Sequence, residues 1–145
     1  MTGPRRFSRA WLGKRVRLGS EIVATYVTAR WTLRRTDLPT TLARMRARPR
    51  AAPGYAVARG DDTVREDALR LARVTFRTLA VLPADSRCLM RSLVVTGMLE
   101  RRGIPATVVV AARLEGGFGA HAWVEVDGRA LVDEAPEPFK RLVEL

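Results

Sequence analysis

The stretch CLMRSLVVTGMLERRGIPATVVV, residues 88–110, changes its hydrophobic period partway along. From Cys88 to Leu99 it is apolar on nearly every side, which predicts a buried helix over residues 87–102 that ends at Gly103. After the segment GIP the period becomes two, which is typical of strands. The stretch therefore predicts a central helix followed directly by β-structure.

Three β-rich runs follow this helix and are separated by the turn signals EGG and DG. They are ATVVVAARL (residues 106–114), FGAHAWVEV (residues 118–126) and RALVDEA (residues 129–135). The tail PEPFKRLVEL forms either one last helical turn or a strand. We expect the three runs to form an antiparallel meander on which the central helix packs.

Helical patterns fill most of the chain before the central helix. Apolar residues at helical spacing, with arginines between them, predict an amphipathic basic helix within residues 9–35. TDLPTTLARMRAR, residues 36–48, indicates a turn and a short second helix, with Thr36 or Asp37 as its cap. Residues 47–62 contain two prolines and two glycines and predict a linker.

A third helix is predicted from Asp62 or Thr63 to about Leu79. The following LPADS stops it and supplies Asp85 or Ser86 as the cap of the central helix. One stripe of the third helix is suited to a core, and its arginines lie elsewhere. The stripe contains Val64, Ala68, Leu71, Ala72, Thr75 and Leu79. Helices followed by an antiparallel meander predict an α+β domain.

The positive charge of the chain lies at its N-terminal end. Residues 1–50 contain thirteen Arg and Lys and only two acids, Glu21 and Asp37, which accounts for the whole net charge of +11. Residues 51–145 contain thirteen residues of each sign. We therefore expect a basic helical arm over residues 1–50 and a core over residues 51–145, which together form one compact domain.

Composition excludes several kinds of chemistry. A single cysteine excludes an intramolecular disulfide, and one cysteine with one histidine cannot form the usual zinc ligand sets, so no metal is expected. The N-terminus lacks the apolar core of a signal peptide, and no run approaches the roughly 20 apolar residues of a membrane span. A soluble cytoplasmic protein is therefore expected. The chain contains no Asn or Gln, so no amide side chain takes part in its chemistry.

Three residues have the chemical types of a nucleophile, a base and an orienting acid. Cys88 falls in the first turn of the central helix, where the helix dipole and free N–H groups favour a thiolate. The alternative is a cysteine that only fills the core, since free cysteine is among the most buried residue types. His121 lies on the second strand and Asp133 near the end of the third.

The hairpin around Asp127 and Gly128 decides whether His121 and Asp133 meet. A two-residue loop pairs position 126 with 129 and puts the two side chains on opposite faces of the sheet. A three-residue loop with a G1 bulge at Gly128 pairs Glu125 with 129, and so His121 with Asp133. We favour the three-residue loop, because it also forms a favourable charge pair across the strands.

The sequence resembles the transglutaminase-like cysteine peptidases of lasso peptide biosynthesis, which remove the leader from the precursor peptide. The resemblance rests on CLMRSLVVTGMLERRGIPATVVVAARL, AHAWVEVDG and LVDEAP, and covers about residues 85–135. The order of CLxRSL, RRGIPA and AHAWVEVDG is specific, whereas HAWVEV alone indicates only the wider superfamily. The resemblance implies a transglutaminase or papain-like core, with the cysteine-bearing helix packed on an antiparallel sheet behind N-terminal helices.

The resemblance also implies roles for these residues. Cys88 is the nucleophile, His121 the base and then the acid, and Asp133 the orienting carboxylate of a hydrolase that needs no cofactor or metal. The N-terminal half is too short for a winged-helix recognition domain. The resemblance therefore implies a stand-alone peptidase that acts on a lasso precursor peptide, works with a separate leader-recognition protein and supplies core peptide to a cyclase.

Five further residues are candidates for supporting or substrate-binding roles. Trp123 lies two residues from the histidine and on the same face, where it either shields the imidazole or packs in the core. Arg87 and Arg91 flank the cysteine and either support the thiolate, bind an acidic leader or are simply solvated. Ser86 is one choice for an oxyanion donor beside the Cys88 N–H, and Phe118 either contacts substrate or packs.

Two other functions remain open from sequence. The basic arm, with its aromatic residues, is also typical of a module that binds nucleic acid or an anionic membrane surface, in which Cys88 and His121 are inert. Alternatively, the triad transfers the acyl group to an amine, as a transglutaminase does. We favour the peptidase, with no nucleic-acid partner and no transmembrane segment.

Overall fold

Four helices precede a four-stranded antiparallel sheet in the computed structural model, which describes residues 9–47, 60–82, 88–132 and 139–145. The helices are α1 (Arg9–Leu33), α2 (Leu38–Arg46), α3 (Asp61–Ala80) and α4 (Cys88–Glu100). The strands are β1 (Thr107–Arg113), β2 (Gly119–Val126), β3 (Arg129–Ala130) and β4 (Lys140–Glu144). The predicted α+β class is confirmed, and the tail forms a strand rather than a helical turn.

The sheet has the strand order β3-β2-β1-β4. β1 and β2 pair without interruption, from Thr107 opposite Glu125 to Arg113 opposite Gly119. β4 returns to the free edge of β1 and pairs with it antiparallel, with an irregularity after Val110. The predicted meander is therefore present, and the C-terminal strand extends it on the side away from β3.

The hairpin between β2 and β3 has the two-residue loop, so the favoured three-residue register is wrong. Val126 pairs with Arg129, and Glu125 pairs with Ala130. Asp127 and Gly128 have φ values of 53° and 70°, which is the left-handed pair that a tight I′ turn requires. A type I′ turn matches the twist of the strands, and that preference outweighs the charge pair on which the other register was chosen.

Helix α4 is the centre of the molecule, as its apolar sequence predicted. Leu93, Val94 and Val95 are fully buried. The helix ends in a Schellman arrangement, in which Gly103 has φ 73° and the Ile104 N–H donates to the Leu99 carbonyl over 3.1 Å. The chain then turns directly into β1.

The three other helices pack around α4. α1 and α2 approach it at Gly97, where a Cβ atom would lie 2.5 Å from the Met45 Cε and 3.2 Å from the Thr25 Cγ2. Asp37 caps α2 by accepting from the Thr40 N–H over 2.8 Å, as predicted. The predicted core stripe of α3 is confirmed, because all of its members are buried: Val64, Ala68, Leu71, Ala72, Thr75 and Leu79.

Ion pairs of Glu21 and Glu100 join α1 and α2 to the end of α4. Arg102 donates to Glu21 over 2.8 Å, and Arg46 donates to Glu100 over 3.3 Å. The buried Glu100 carboxylate also accepts from the Ala106 N–H, 3.2 Å away at the start of β1. The basic N-terminal segment is thus packed on the core through α1 and α2. Most of the predicted linker and both proposed caps of α4, Asp85 and Ser86, lie outside the described residues.

Candidate functional site

The single thiol of the chain lies at the start of the buried helix. Cys88 is the first described residue of α4, is free and is half-buried. The N-terminal turn of a helix presents free N–H groups and the positive end of the dipole, and both favour a thiolate over a thiol. The side chain is therefore neither sealed in the core nor fully solvated, as a reactive cysteine requires.

His121 lies on β2, opposite Ala111 of β1, and is half-buried. Its ring stacks on that of Trp123, with 6.1 Å between centroids and 27° between planes. The Phe139 ring makes an edge contact with the same imidazole, with 6.2 Å between centroids. The prediction that His121 and Trp123 share a face is confirmed, and the imidazole contacts two aromatic rings.

The two aromatic rings beside His121 are themselves fixed by charged groups. The indole N–H of Trp123 donates to the buried Glu125 carboxylate over 2.9 Å, and Arg141 donates to the same carboxylate over 2.6 Å. The Arg141 guanidinium lies 5.5 Å from the centroid of the Trp123 ring, and Arg113 lies 5.4 Å from that of Phe139. Hydrogen bonds to Glu144 and Glu125 raise the pKa of Arg141, so this cation persists at any physiological pH.

The two faces of the sheet have different neighbours. Val108, Val124 and Val126 belong to the same buried cluster as α4, whereas Val109 and Trp123 belong to a separate small cluster. Because side chains alternate along a strand, His121 lies on the face turned away from α4. The Schellman turn sends the chain from α4 straight back along β1. The start of α4 and His121 therefore lie towards the same end of the sheet.

The structure places the other predicted residues as follows. The Arg91 guanidinium lies 5.5 Å from the centroid of the Phe76 ring, and its buried Nε has no hydrogen-bond partner among the described residues. Phe118 is 79% exposed just before β2 and does not pack in the core. Asp133, Ser86 and Arg87 lie outside the described residues.

Sequence reasoning missed Phe139, Glu125 and Arg141 as neighbours of the histidine. Glu125 was assigned only to a cross-strand pair, and the tail was left open between helix and strand. The alternation of Phe139, Arg141 and Val143 was a signal for a strand, but only the pairing of that strand with β1 brings Phe139 and Arg141 into contact with side chains of β2. That pairing joins segments that are far apart in sequence.

The described residues contain neither a group suited to a metal ion nor a helix suited to a membrane span. Within those residues, no three His, Cys, Asp or Glu side chains form a group that could hold a metal ion. Across the same part of the chain, no helix is long and apolar enough to cross a bilayer.

Comparison with known proteins gives one match. Residues 23–144 match the family model described as the transglutaminase-like superfamily, a range that includes the C-terminal part of α1 and all later elements. The search of curated proteins and the search of solved structures each gave no match.

Proposed function

The chain belongs to the transglutaminase-like superfamily, which includes cysteine peptidases, and we propose that it is the leader peptidase of a lasso peptide pathway. In this proposal it hydrolyses the peptide bond between leader and core of the precursor, with Cys88, His121 and Asp133 as its triad. It acts with a separate leader-recognition protein and hands the core peptide to a cyclase. The lasso resemblance of residues 85–135 supports this choice within the superfamily.

The observation that carries the proposal is the position of the only thiol. Cys88 is half-buried at the start of a helix, and the only histidine is half-buried towards the same end of the sheet, on the face turned away from that helix. A cysteine that served only to fill the core would be expected deeper in α4, where Leu93 and Val94 are fully buried. A chain with one thiol and one imidazole that brings both to one end has the minimum set for thiol catalysis.

The proposed reaction has two steps, which are acylation of Cys88 and hydrolysis of the thioester. The Cys88 thiolate attacks the carbonyl carbon of the last leader residue, and the backbone N–H of Cys88 donates to the developing oxyanion. The imidazolium of His121 gives its proton to the departing amine of the core peptide, which leaves a thioester on the leader side. Neutral His121 then takes a proton from water, whose oxygen attacks the thioester and releases the leader acid and the thiolate.

The register of the hairpin limits how Asp133 takes part. Leu131 still bonds to Val124, with 3.0 Å between its N–H and the carbonyl oxygen. If the same register continued, strict alternation would turn Asp133 to the face opposite His121. The proposed role of Asp133 therefore requires that this register not continue, and β3 itself ends at Ala130, with Val132 in a bend.

The test uses candidate lasso precursors encoded near the gene, incubated with the protein and its recognition partner and followed by mass spectrometry. Wild-type protein is expected to give free leader and free core, whose masses add up to the precursor plus one water. Cys88→Ala should give none. Ser92→Ala, one turn further along α4, is the matched control, because it removes one polar atom from a buried side chain and should leave cleavage intact.

Two outcomes would replace the proposal. If the leader acyl group appears on an added amine instead of on water, the chain is a transferase with the same triad. If Cys88→Ala changes nothing while the protein binds nucleic acid or anionic vesicles, the cysteine and histidine are inert and the chain is a binding module.

A further inference from the structure

The outer face of α1 carries an apolar stripe that the described residues leave open. Val16, Val27 and Trp31 are 64%, 57% and 53% exposed. Together with the exposed Ala24 they fall on one side of the helix, which is opposite the buried side. The buried side contains Ile22, Thr25, Tyr26 and Ala29. Exposed apolar side chains in a row mark interaction surfaces, whereas isolated ones do not.

The C-terminal part of this stripe forms a groove of about 290 Å³ that is lined by Val27, Arg30, Trp31, Arg34 and Arg35. The Arg35 guanidinium lies 3.8 Å from the Trp31 ring centroid, and Arg30 donates to the Tyr26 hydroxyl over 2.7 Å. The indole and one arginine of the rim are thus held in place before any partner arrives. Held aromatic and arginine side chains lose little entropy on binding and are the residue types enriched at binding hot spots.

The charge around the stripe has one sign. Six basic residues lie between positions 13 and 35, and Glu21 is the only acid in that range. Glu21 is turned to the other side, where it binds Arg102 at 2.8 Å and Arg101 at 3.6 Å. The stripe therefore has an apolar centre with a basic border, and a complementary partner has an apolar centre with an acidic border.

We propose that the outer face of α1 docks an acidic amphipathic helix of a partner protein. The stripe from Val16 to Trp31 is about 22 Å long at the usual rise per residue, which matches a partner helix of about four turns. It is one side chain wide, as helix-on-helix packing requires, whereas insertion into a bilayer needs a broad apolar face. Val16 and Val27 offer nothing to phosphates or bases, so nucleic acid would use only part of this surface. This inference does not depend on peptidase activity.

The test measures binding of full-length protein to three probes by fluorescence anisotropy or co-sedimentation. They are a four-turn synthetic helix with a leucine stripe bordered by glutamates, a single-stranded oligonucleotide, and vesicles of phosphatidylserine and phosphatidylcholine. The acidic helix is expected to bind best, and more weakly as salt rises. Trp31→Ala should weaken it at least about tenfold, as truncation of a central aromatic anchor does. A helix with lysines in place of the glutamates should not bind.

Matched control variants distinguish binding at the outer face of α1 from nonspecific electrostatic or hydrophobic binding elsewhere on the surface. Val81→Ser removes a valine that is 80% exposed at the end of α3, and Arg73→Ser removes an exposed arginine of α3. Both should leave binding of the acidic helix unchanged. The proposal is overturned if Trp31→Ala binds as well as wild type, if the acidic helix does not bind, or if the vesicles or the oligonucleotide bind more tightly and lose binding in Trp31→Ala.

A second inference concerns His121 and rests on the proposed function. We infer that Trp123 and Phe139 are positioning residues that keep the imidazole in one orientation, and that Glu125 and Arg141 keep Trp123 in place. The distances given above form an unbroken series from the imidazole to the indole and then to the carboxylate and the guanidinium. An imidazole with a single orientation presents the same ring nitrogen in every molecule, which general-base catalysis requires.

The single histidine makes this inference directly measurable, because all imidazole C–H signals in the NMR spectrum belong to His121, and its Cε1–H signal can be followed without ambiguity. Trp123→Ala should move that signal by removing the ring current of the indole, and Glu125→Gln should broaden it by loosening Trp123. Trp123→Phe keeps a ring but loses the N–H, and should restore most of the signal position. In the cleavage assay Trp123→Ala should lower kcat more than it raises KM and should alter the pH profile, and Trp123→Phe should restore much of the rate.

Failure of this inference is distinguishable from failure of the proposed function. If Cys88→Ala still cleaves the precursor, the peptidase proposal fails whatever the NMR signal shows. If Cys88→Ala is inactive but the His121 signal is unchanged in Trp123→Ala and in Glu125→Gln, only the positioning role fails. Thermal unfolding of each variant confirms that the protein is folded during the measurement.

Discussion

The two faces of the sheet are built from the same two strands and yet differ in almost every physical respect. The face toward α4 presents Val108, Val124 and Val126 to the main core, where each is at most 4% exposed. The other face presents Val109 and Trp123 in a small separate cluster, bordered by charged groups. Strict alternation along β1 and β2 thus separates an aliphatic face from an aromatic and charged one.

This difference implies that the aliphatic face contributes mainly to folding stability, whereas the other face mainly orients the side chains beside His121. Burial of aliphatic side chains against α4 contributes to folding without any directional requirement. The ion pair between the buried Glu125 and the partly exposed Arg141 on the other face contributes little net stability, because the cost of removing the carboxylate from water offsets the attraction. The carboxylate does orient the indole of Trp123 through a hydrogen bond, and this indole stacks on the imidazole. A substitution should therefore affect mainly stability on one face and mainly activity on the other.

His121→Ala should show the largest effect, on activity alone. Loss of a general acid and base lowers rates by roughly 10²–10⁴-fold, and the half-buried ring leaves little packing to lose. Cleavage of the precursor and alkylation of the single thiol by iodoacetamide near neutral pH would both be measured. A variant that unfolds well below the wild-type temperature would contradict the separation of the two faces.

Leu93→Ala, on the helix that covers the aliphatic face, should have the largest effect on stability. Leu93 is fully buried in the main cluster, and removing such a side chain costs about 2–5 kcal/mol. Urea unfolding, with the wild-type slope retained, measures this loss. At temperatures where the variant stays folded, its thiol should react at the wild-type rate. A strongly reduced alkylation rate of Cys88 in a folded variant would show that packing of the core also controls the reactivity of the thiol.

Sequence alone predicted most of the face toward the helix and little of the other one. Helical period, turn residues and apolar runs are local signals, and they located α1 to α4 and the first two strands closely. The loop at Asp127 and Gly128 was predicted wrongly because a favourable charge pair across the strands was given more weight than the fit of a type I′ turn to the strand twist. The contacts of Phe139 and Arg141 depend on pairing of β4 with β1, which no local pattern specifies.

Glu125→Gln should lie between the two extremes, since it affects both properties. The amide keeps the volume but removes the charge that receives the Arg141 guanidinium, and altering one partner of a buried hydrogen bond costs about 1–3 kcal/mol. Glu100→Gln is the matched control, because Glu100 is also buried and accepts from an arginine and a backbone N–H, but lies at the far end of α4. Both variants should lose similar stability in urea unfolding. Only Glu125→Gln should slow cleavage, and equal losses of activity would remove the distinction between the faces.

Asp37→Asn should have the smallest effect. It removes a titrating carboxylate that lies on neither face of the sheet. The side-chain and backbone hydrogen bonds with Thr40 lower the pKa of Asp37 in the folded chain. The contribution of the ionised Asp37 carboxylate to the free energy of unfolding is thus complete above the unfolded pKa of about 3.9. It is lost as the pH falls through the lower pKa of the folded chain. Asparagine caps a helix about as well but does not titrate in this range. The wild-type advantage in melting temperature over Asp37→Asn should therefore be small at neutral pH and shrink on acidification below about pH 4. Cleavage at neutral pH should be equal in the two proteins, because the contacts of α2 described above are at Gly97 and Glu100, near the end of α4 that is opposite to Cys88.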